Sequence, residues 1–409
     1  MQQVFLGELN PFRMLGWIAK EFLMTEISLF AQLAAELTER KAASLYRTRR
    51  VLESAQGARV TVAGRELLNF CSNDYLGLAN HPAIVAAAQA GAARWGVGSG
   101  ASHLVAGHFA VEQELEERLA AWAGKPAAIT LSTGYMANLA VVTGLVGRGD
   151  AVFADKTNHA SLNDAMALSR ADVKRFPHSD VAALERLLAA SSAKRKLIIV
   201  DAVFSMDGDI APLAQMLALA EAYDAMLYID DAHGFGVLGE GRGTLVELGL
   251  ASPRIIYMAT LGKAAGVAGA YIAAEQVVID YLINTAKPYI YTTAAPPMIA
   301  AAMHASLDVI ETDIARRDTL HRHIAYFRET LAGRCELLPS RTAIQPIILP
   351  DVETAVAISQ ALFDAGFWVA AIRPPTVPTP RLRVILTAAH TEAEVAALCE
   401  ILLKILKGS

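Results

Sequence analysis

Lys263 is the residue in this sequence best placed for covalent chemistry. It follows the apolar run Ile255 to Ala259, inside a glycine-rich stretch, Ala259 to Ala274, that carries no other charge before Glu275. An amine desolvated in such a setting has a lowered pKa and is ready as the free base that Schiff-base formation requires. Asp230 ends the apolar run Met226 to Ile229 and is the type of carboxylate that keeps a pyridine-like ring nitrogen protonated. Further polar groups fall just past strand-like runs: Ser132-Thr133-Gly134-Tyr135, Asn158-His159, Ser205-Met206-Asp207-Gly208, Asp231-Ala232-His233-Gly234 and Thr260-Leu261-Gly262. Each has an ordinary reading alone, since lysines are mostly surface residues, paired aspartates can cap helices and histidines can be satisfied in a core. Their recurrence at strand ends points instead to one site.

The elements that must position these groups are read from periodicity. Strand-like runs at Ala127 to Leu131, Asp150 to Ala154, Lys196 to Val200, Met226 to Ile229, Ile255 to Ala259 and Ala268 to Ala273 alternate with helical stretches. This predicts an α/β fold whose mostly parallel sheet is covered by helices on both faces, with ligand at the carboxyl ends of the strands. Upstream, helical spacing runs from Leu29 to Tyr46, a hairpin turns at Ala63-Gly64, and a helix covers about Pro82 to Trp95. A long helix from Met298 to about Gly333 is expected to bridge to a second domain containing strands at Ile344 to Leu349, Phe367 to Ile372 and Leu382 to Leu386, and closing on a helix from Glu392 to Leu406. The expected division is 1–68 for an extension, helix and hairpin, 69–309 for a large domain and 310–409 for a small α+β domain.

Composition narrows the function. The 409 residues are 54% hydrophobic and carry 36 Lys plus Arg against 41 Asp plus Glu, a formal charge of -5 without long like-charge blocks, which does not recruit nucleic acid. Cys71, Cys335 and Cys399 are far apart, so neither a disulfide framework nor a metal site is indicated and a reduced, cytoplasmic compartment fits. The longest uncharged run, Pro126 to Gly147, is interrupted by Ser132, Thr133, Gly134, Asn138, Thr143 and Gly144 and reads as strand, turn and helix, not as a membrane span. Residues 1–23 read as an appended segment, with Met24 as a candidate natural start. Gly96-Val97-Gly98-Ser99-Gly100 follows a helix and so lacks the context of a dinucleotide fingerprint.

Taken together, the motifs resemble the α-oxoamine synthases, a branch of the fold-type-I pyridoxal-phosphate enzymes. The similarity runs from about Leu37 to Leu406 through Asn69-Phe-Cys-Ser-Asn-Asp-Tyr-Leu-Gly-Leu78, Phe204-Ser-Met-Asp-Gly-Asp209, Asp230-Asp-Ala-His-Gly234 and Thr260-Leu-Gly-Lys263. Arg373-Pro-Pro-Thr-Val-Pro378, followed by Arg381-Leu-Arg383, is similar to the oxononanoate branch; the glycine-using and aminolevulinate branches tend to carry Tyr-Pro before Val-Pro. The resemblance implies an aspartate-aminotransferase-like fold, with a mostly parallel seven-stranded sheet in the large domain and a smaller α+β C-terminal domain. It implies that Lys263 is the Schiff-base lysine, Asp230 the partner of the pyridine nitrogen, and His233 a hydrogen-bond partner of the phenolic oxygen. His159 would stack on the ring, Ser205 would help fix it, and Gly134, Tyr135 and Thr260 would hold the phosphate. Thr292 and Thr293 would reach the phosphate of a neighbouring subunit, which implies a homodimer. Arg383 matches the arginine that binds the amino-acid carboxylate; Arg47 and Thr376 match the acyl channel, and Arg373 is counted with the substrate-binding residues. The implied substrates are L-alanine and a pimeloyl thioester of CoA or acyl carrier protein, in biotin biosynthesis. Phe235, after His-Gly, is expected to alter acyl-chain packing. A sister synthase using glycine and another acyl-CoA, in the manner of 2-amino-3-ketobutyrate CoA ligase, stays open, as does a nicotinamide-dependent oxidoreductase on the same architecture.

Overall fold

The computed structural model describes residues 29–43 and 45–408; the candidate start at Met24 and the segment 1–23 lie outside them. The chain divides into two units that part after Val51. In the first, a helix covers 29–42 and Arg47 lies exposed in the non-helical stretch that follows.

The second unit is organised by thirteen strands. A hairpin of β1 (Arg59–Val62) and β2 (Arg65–Asn69) is followed by β3 (Ala127–Leu131), β4 (Ala151–Asp155), β5 (Asp172–Phe176), β6 (Lys196–Asp201), β7 (Met226–Asp230), β8 (Ile255–Thr260) and β9 (Ala270–Ala274). The C-terminal part adds β10 (Ile344–Ile348), β11 (Phe367–Trp368), β12 (Ala370–Ile372) and β13 (Arg381–Ile385). The main sheet has the order β3-β9-β8-β7-β6-β4-β5. Its pairs from β8 to β5 are parallel, while β9 runs antiparallel to both β8 and β3.

Central strands of such a sheet are buried on both faces and therefore read as continuous apolar runs. Alternate side chains divide between two cores: Phe153, Ile198, Leu227 and Tyr257 pack on one face, Val152, Ile199, Tyr228 and Met258 on the other. The edge strand β5, Asp172-Val-Lys-Arg-Phe176, is mostly solvated, and Lys174 pairs with Asp172 at 2.9 Å. Charged side chains of this kind blunt an open edge against further pairing.

Two three-stranded sheets flank the main one, β1-β2-β11 and β10-β13-β12. The stretch Phe367 to Ile372 does not form one strand: β11 pairs parallel with β2, β12 pairs antiparallel with β13, and the chain changes sheets at buried Val369. The single long helix expected after Pro297 is two, Pro297–Thr312 and Ile314–Leu331, because Asp313 sits at φ -92, ψ 69, outside the helical region. No helix among the described residues is long and apolar enough to cross a membrane.

Candidate active site

Asp201, Asp230 and Thr260 terminate β6, β7 and β8 at the carboxyl ends of three neighbouring inner strands, and Asp201 and Asp230 are register partners. Each apolar strand thus delivers its polar last residue to a shared rim, where a cavity of about 180 Å³ is lined by Gly134, Tyr135, Asn138, His159, Ser161, Asp201, Val203, Ser205, Asp230, Ala232, His233, Met258, Thr260 and Lys263. Eight of the residues singled out in the sequence meet here.

Lys263 reaches the cavity on the turn after β8, and its Nζ lies 2.8 Å from His233 Nε2. Burial pushes its amine down to about 8, opposed by the Asp230 and Asp201 carboxylates and assisted by the Arg383 charge. His233 is held well below the ordinary imidazole range, first by burial and then by the charges of Lys263, Arg383 and His159. Its other nitrogen, Nδ1, lies 2.6 Å from the Tyr75 hydroxyl.

Asp230 faces Lys263 and is fixed from behind. Asn138 Nδ2 donates to Asp230 Oδ2 at 2.8 Å, the backbone N–H of Ala232 donates to Oδ1 at 3.0 Å, and the Tyr228 hydroxyl donates to Asn138 Oδ1 at 2.6 Å. The adjacent carboxylate points away from the cavity: Asp231 accepts from Thr244 N, Thr244 Oγ1 and Tyr257 at 2.6, 2.5 and 2.8 Å. Burial raises Asp231 to about 6. One aspartate of the pair serves the cavity and the other pins the loop that carries His233.

His159 caps the helix Ala160–Ser169, with Nδ1 accepting from Ser161 N and lying 2.7 Å from Ser161 Oγ. Asn138 Nδ2 donates to the same hydroxyl at 2.8 Å, so the hydroxyl proton goes to Nδ1 and the ring carries its own proton on Nε2. The backbone N–H of His159 donates to the Asp201 carboxylate. Burial and the Asp230 charge beside it raise Asp201 well above the usual carboxylate range.

The donor set fits pyridoxal phosphate. A desolvated amine and a braced carboxylate line one cavity, whose rim also includes Gly134 and Tyr135, the first residues of the helix Gly134–Leu145. The unpaired amides and dipole of a helix start favour an anion. Thr133 caps this helix by accepting from Met136 N at 3.1 Å, and Thr260 Oγ1 lies within 3.9 Å of where a Gly134 Cβ would stand.

The remaining residues sit around this cavity. Arg383 donates from Nε to the carbonyl of Ser205 at 2.6 Å and from both terminal nitrogens to Asn73 Oδ1 at 3.3 Å. Thr292 and Thr293 line a separate pocket with His103, Ser132, Met136 and Tyr289. Arg373 is half-buried and Thr376 exposed, on the loop between β12 and β13. Phe235 is 1% exposed and packs edge-on to Tyr271 in the core, so it does not line the cavity. Tyr75, Asn138, Ser161 and Asp201 belong to the site although the sequence did not single them out. For Asp201 a signal existed, because it ends an apolar run just as Asp230 does.

Residues 65–402 match the family model described as aminotransferase class I and II. The chain is 58% identical over 372 residues to an 8-amino-7-oxononanoate synthase of Herminiimonas arsenicoxydans, covering 89% of this chain and 96% of that protein. A second such synthase, of Aromatoleum aromaticum, is 56% identical over 378 residues, 91% of this chain and 98% of its own length. Among solved structures, serine palmitoyltransferase from S. paucimobilis with a bound PLP-myriocin aldimine matches with a TM-score of 0.87 at 29% identity, covering 93% and 98% of the two chains. An 8-amino-7-oxononanoate synthase from Francisella tularensis matches with a TM-score of 0.74 at 31% identity, covering 83% and 98%.

Proposed function

The chain belongs to the aminotransferase class I and II family, and from that premise we propose that it condenses L-alanine with a pimeloyl thioester to give 8-amino-7-oxononanoate for biotin biosynthesis. The observation that carries this is a desolvated Lys263 facing a braced Asp230 in one cavity, in a chain 55–58% identical to synthases of that activity over almost their full length. In the reaction the Cα–H bond of alanine breaks, a bond forms from Cα to the acyl carbon, the acyl C–S bond breaks to free the thiol, and the carboxylate leaves Cα as carbon dioxide. Reprotonation at Cα completes the product.

Pyridoxal phosphate, when bound, supplies the sink for the electrons left at Cα. Lys263 Nζ would anchor it, be released by the incoming amino acid, take the Cα proton and later return one. Asp230, held by Asn138 and the Ala232 amide, would keep the ring nitrogen protonated, with His159 against the ring and Ser205 beside it. Gly134, Tyr135 and Thr260 would hold the phosphate. Arg383 would bind the alanine carboxylate in a charge-assisted contact; Arg47, Arg373 and Thr376 would contact the acyl substrate. Thr292 and Thr293 lie outside this chain's Lys263 cavity, which suits a homodimer in which each subunit completes its neighbour's site. The same reading assigns residues 69–309 to cofactor binding, 310–409 to the smaller domain, the enzyme to the cytoplasm and the acyl group to CoA or a carrier protein.

Expression in a bacterial strain lacking its 8-amino-7-oxononanoate synthase tests the reading. Growth without biotin is expected from the wild-type chain and not from Lys263→Ala; failure of a soluble, cofactor-loaded wild-type chain to restore growth contradicts it.

A further inference from the structure

We propose that Tyr75 is a positioning residue that fixes the tautomer of His233, so that Nε2 carries the ring proton and is presented as a donor beside Lys263. The inference rests on the reading of Lys263 as the reacting amine. Three groups form a chain: the Tyr75 hydroxyl 2.6 Å from His233 Nδ1, and His233 Nε2 2.8 Å from Lys263 Nζ. Tyr75 arrives from a different part of the fold, the loop after β2, and is 1% exposed.

A phenol has one proton to give, and two acceptors are in reach. His233 Nδ1 lies at 2.6 Å; Asn73 Oδ1 lies at 3.3 Å and already receives two N–H groups of Arg383. The shorter contact, with the less burdened acceptor, takes the proton. An imidazole that accepts at Nδ1 and stays neutral must carry its proton on Nε2. Both conditions for the relay persist, because burial pushes the Tyr75 hydroxyl up to about 12 while burial, assisted by the nearby Arg383 charge, keeps His233 neutral. The outcome is a donor aimed at the side of the cavity where Lys263 stands. Free Lys263 accepts it into its lone pair, and with the cofactor bound it is available to an acceptor atom next to that amine.

Selective ¹⁵N-histidine labelling, with His233→Gln to assign the signal, reads the tautomer directly in the wild-type holoenzyme and apoprotein. The Nε2–H form is expected in both; the Nδ1–H form in the wild type overturns the proposal without recourse to a Tyr75 variant. In Tyr75→Phe the single tautomer should give way to a mixture, and the pH midpoint of the bound chromophore should move by about one unit. The same variant should lower kcat by about tenfold, with KM for alanine changed by less than about twofold. A folded Tyr75→Phe that keeps the wild-type tautomer and midpoint also overturns it. If the tautomer is Nε2–H but no oxononanoate forms, the substrate assignment fails and this inference stands.

Discussion

At the residue scale the chemistry turns on a lysine whose surroundings weaken its hold on a proton and leave a free amine. Lys263 sits at about 8 because burial penalises its cation more than Asp230 and Asp201 favour it. The sign follows: the neutral, nucleophilic amine becomes dominant above about pH 8, more than two units below an exposed lysine. Uptake of pyridoxal phosphate by the apoprotein, followed by absorbance, should therefore rise by about tenfold per unit below pH 8 and level off above it. A rate that keeps rising about tenfold per unit from pH 8 to 9 and beyond would show that the amine is not desolvated. Lys263→Ala should lower turnover by at least ~10³-fold while leaving noncovalent cofactor binding measurable by equilibrium dialysis. Arg383→Ala should raise KM for alanine by roughly 10–100-fold, far more than KM for the thioester, because a charge-assisted contact is lost. Equal changes in both constants would mean that Arg383 acts only by holding Ser205.

At the scale of elements, the strand ends do the positioning, and that much was legible beforehand. The strand that ends in Asp230 and the strand that leads to Lys263 are uninterrupted apolar runs, which is what burial on both faces demands. The edge strand β5 was not read because Asp172, Lys174 and Arg175 make it look like solvated loop, and the break at Asp313 left no proline or glycine to mark it. Asn138 and Tyr75 were hidden for another reason. They act through packing between elements distant in sequence, and a polar residue inside a helical or loop pattern carries no local sign of its partner. The turn after β8 offers a test of how strictly elements hold the site. Gly266 has φ +68, its N–H donates to the Lys263 carbonyl at 2.8 Å, and a Cβ there would collide with the backbone of Leu78 and Ala79. Gly266→Ala should therefore cost about 1–3 kcal/mol, seen as a lower Tm together with weaker cofactor retention. An unchanged Tm would mean that the turn yields more easily than its contacts indicate.

At the scale of the molecule, the C-terminal sheet is tied to the cavity through one loop. Ser205 O accepts from Arg383, Asp207 pairs with Arg381, and Gly208 O accepts from Ser340 and Thr342, so Arg383 and the Ser205 wall of the cavity are held against each other. The assembly is the other large-scale claim. If Thr292 and Thr293 serve the neighbouring subunit, inactive Lys263→Ala and a weakly binding Thr292→Ala/Thr293→Ala double variant should complement each other when refolded or co-expressed together. The mixed dimer then holds one site with every group intact, and activity above either parent checks it; mixtures no better than their parents would place both threonines in their own subunit's site.

The central claim is the pairing of L-alanine with a pimeloyl thioester. The most direct measurement is the initial rate of free-thiol release by the purified, pyridoxal-phosphate-loaded protein, with L-alanine plus pimeloyl-CoA set against glycine plus acetyl-CoA. The account predicts a clear preference for the first pair, with one carbon dioxide released per thiol. Preference for the second pair would leave Lys263, Asp230 and His233 in their roles but contradict the assignment drawn from Arg373 to Pro378 and from the similar synthases.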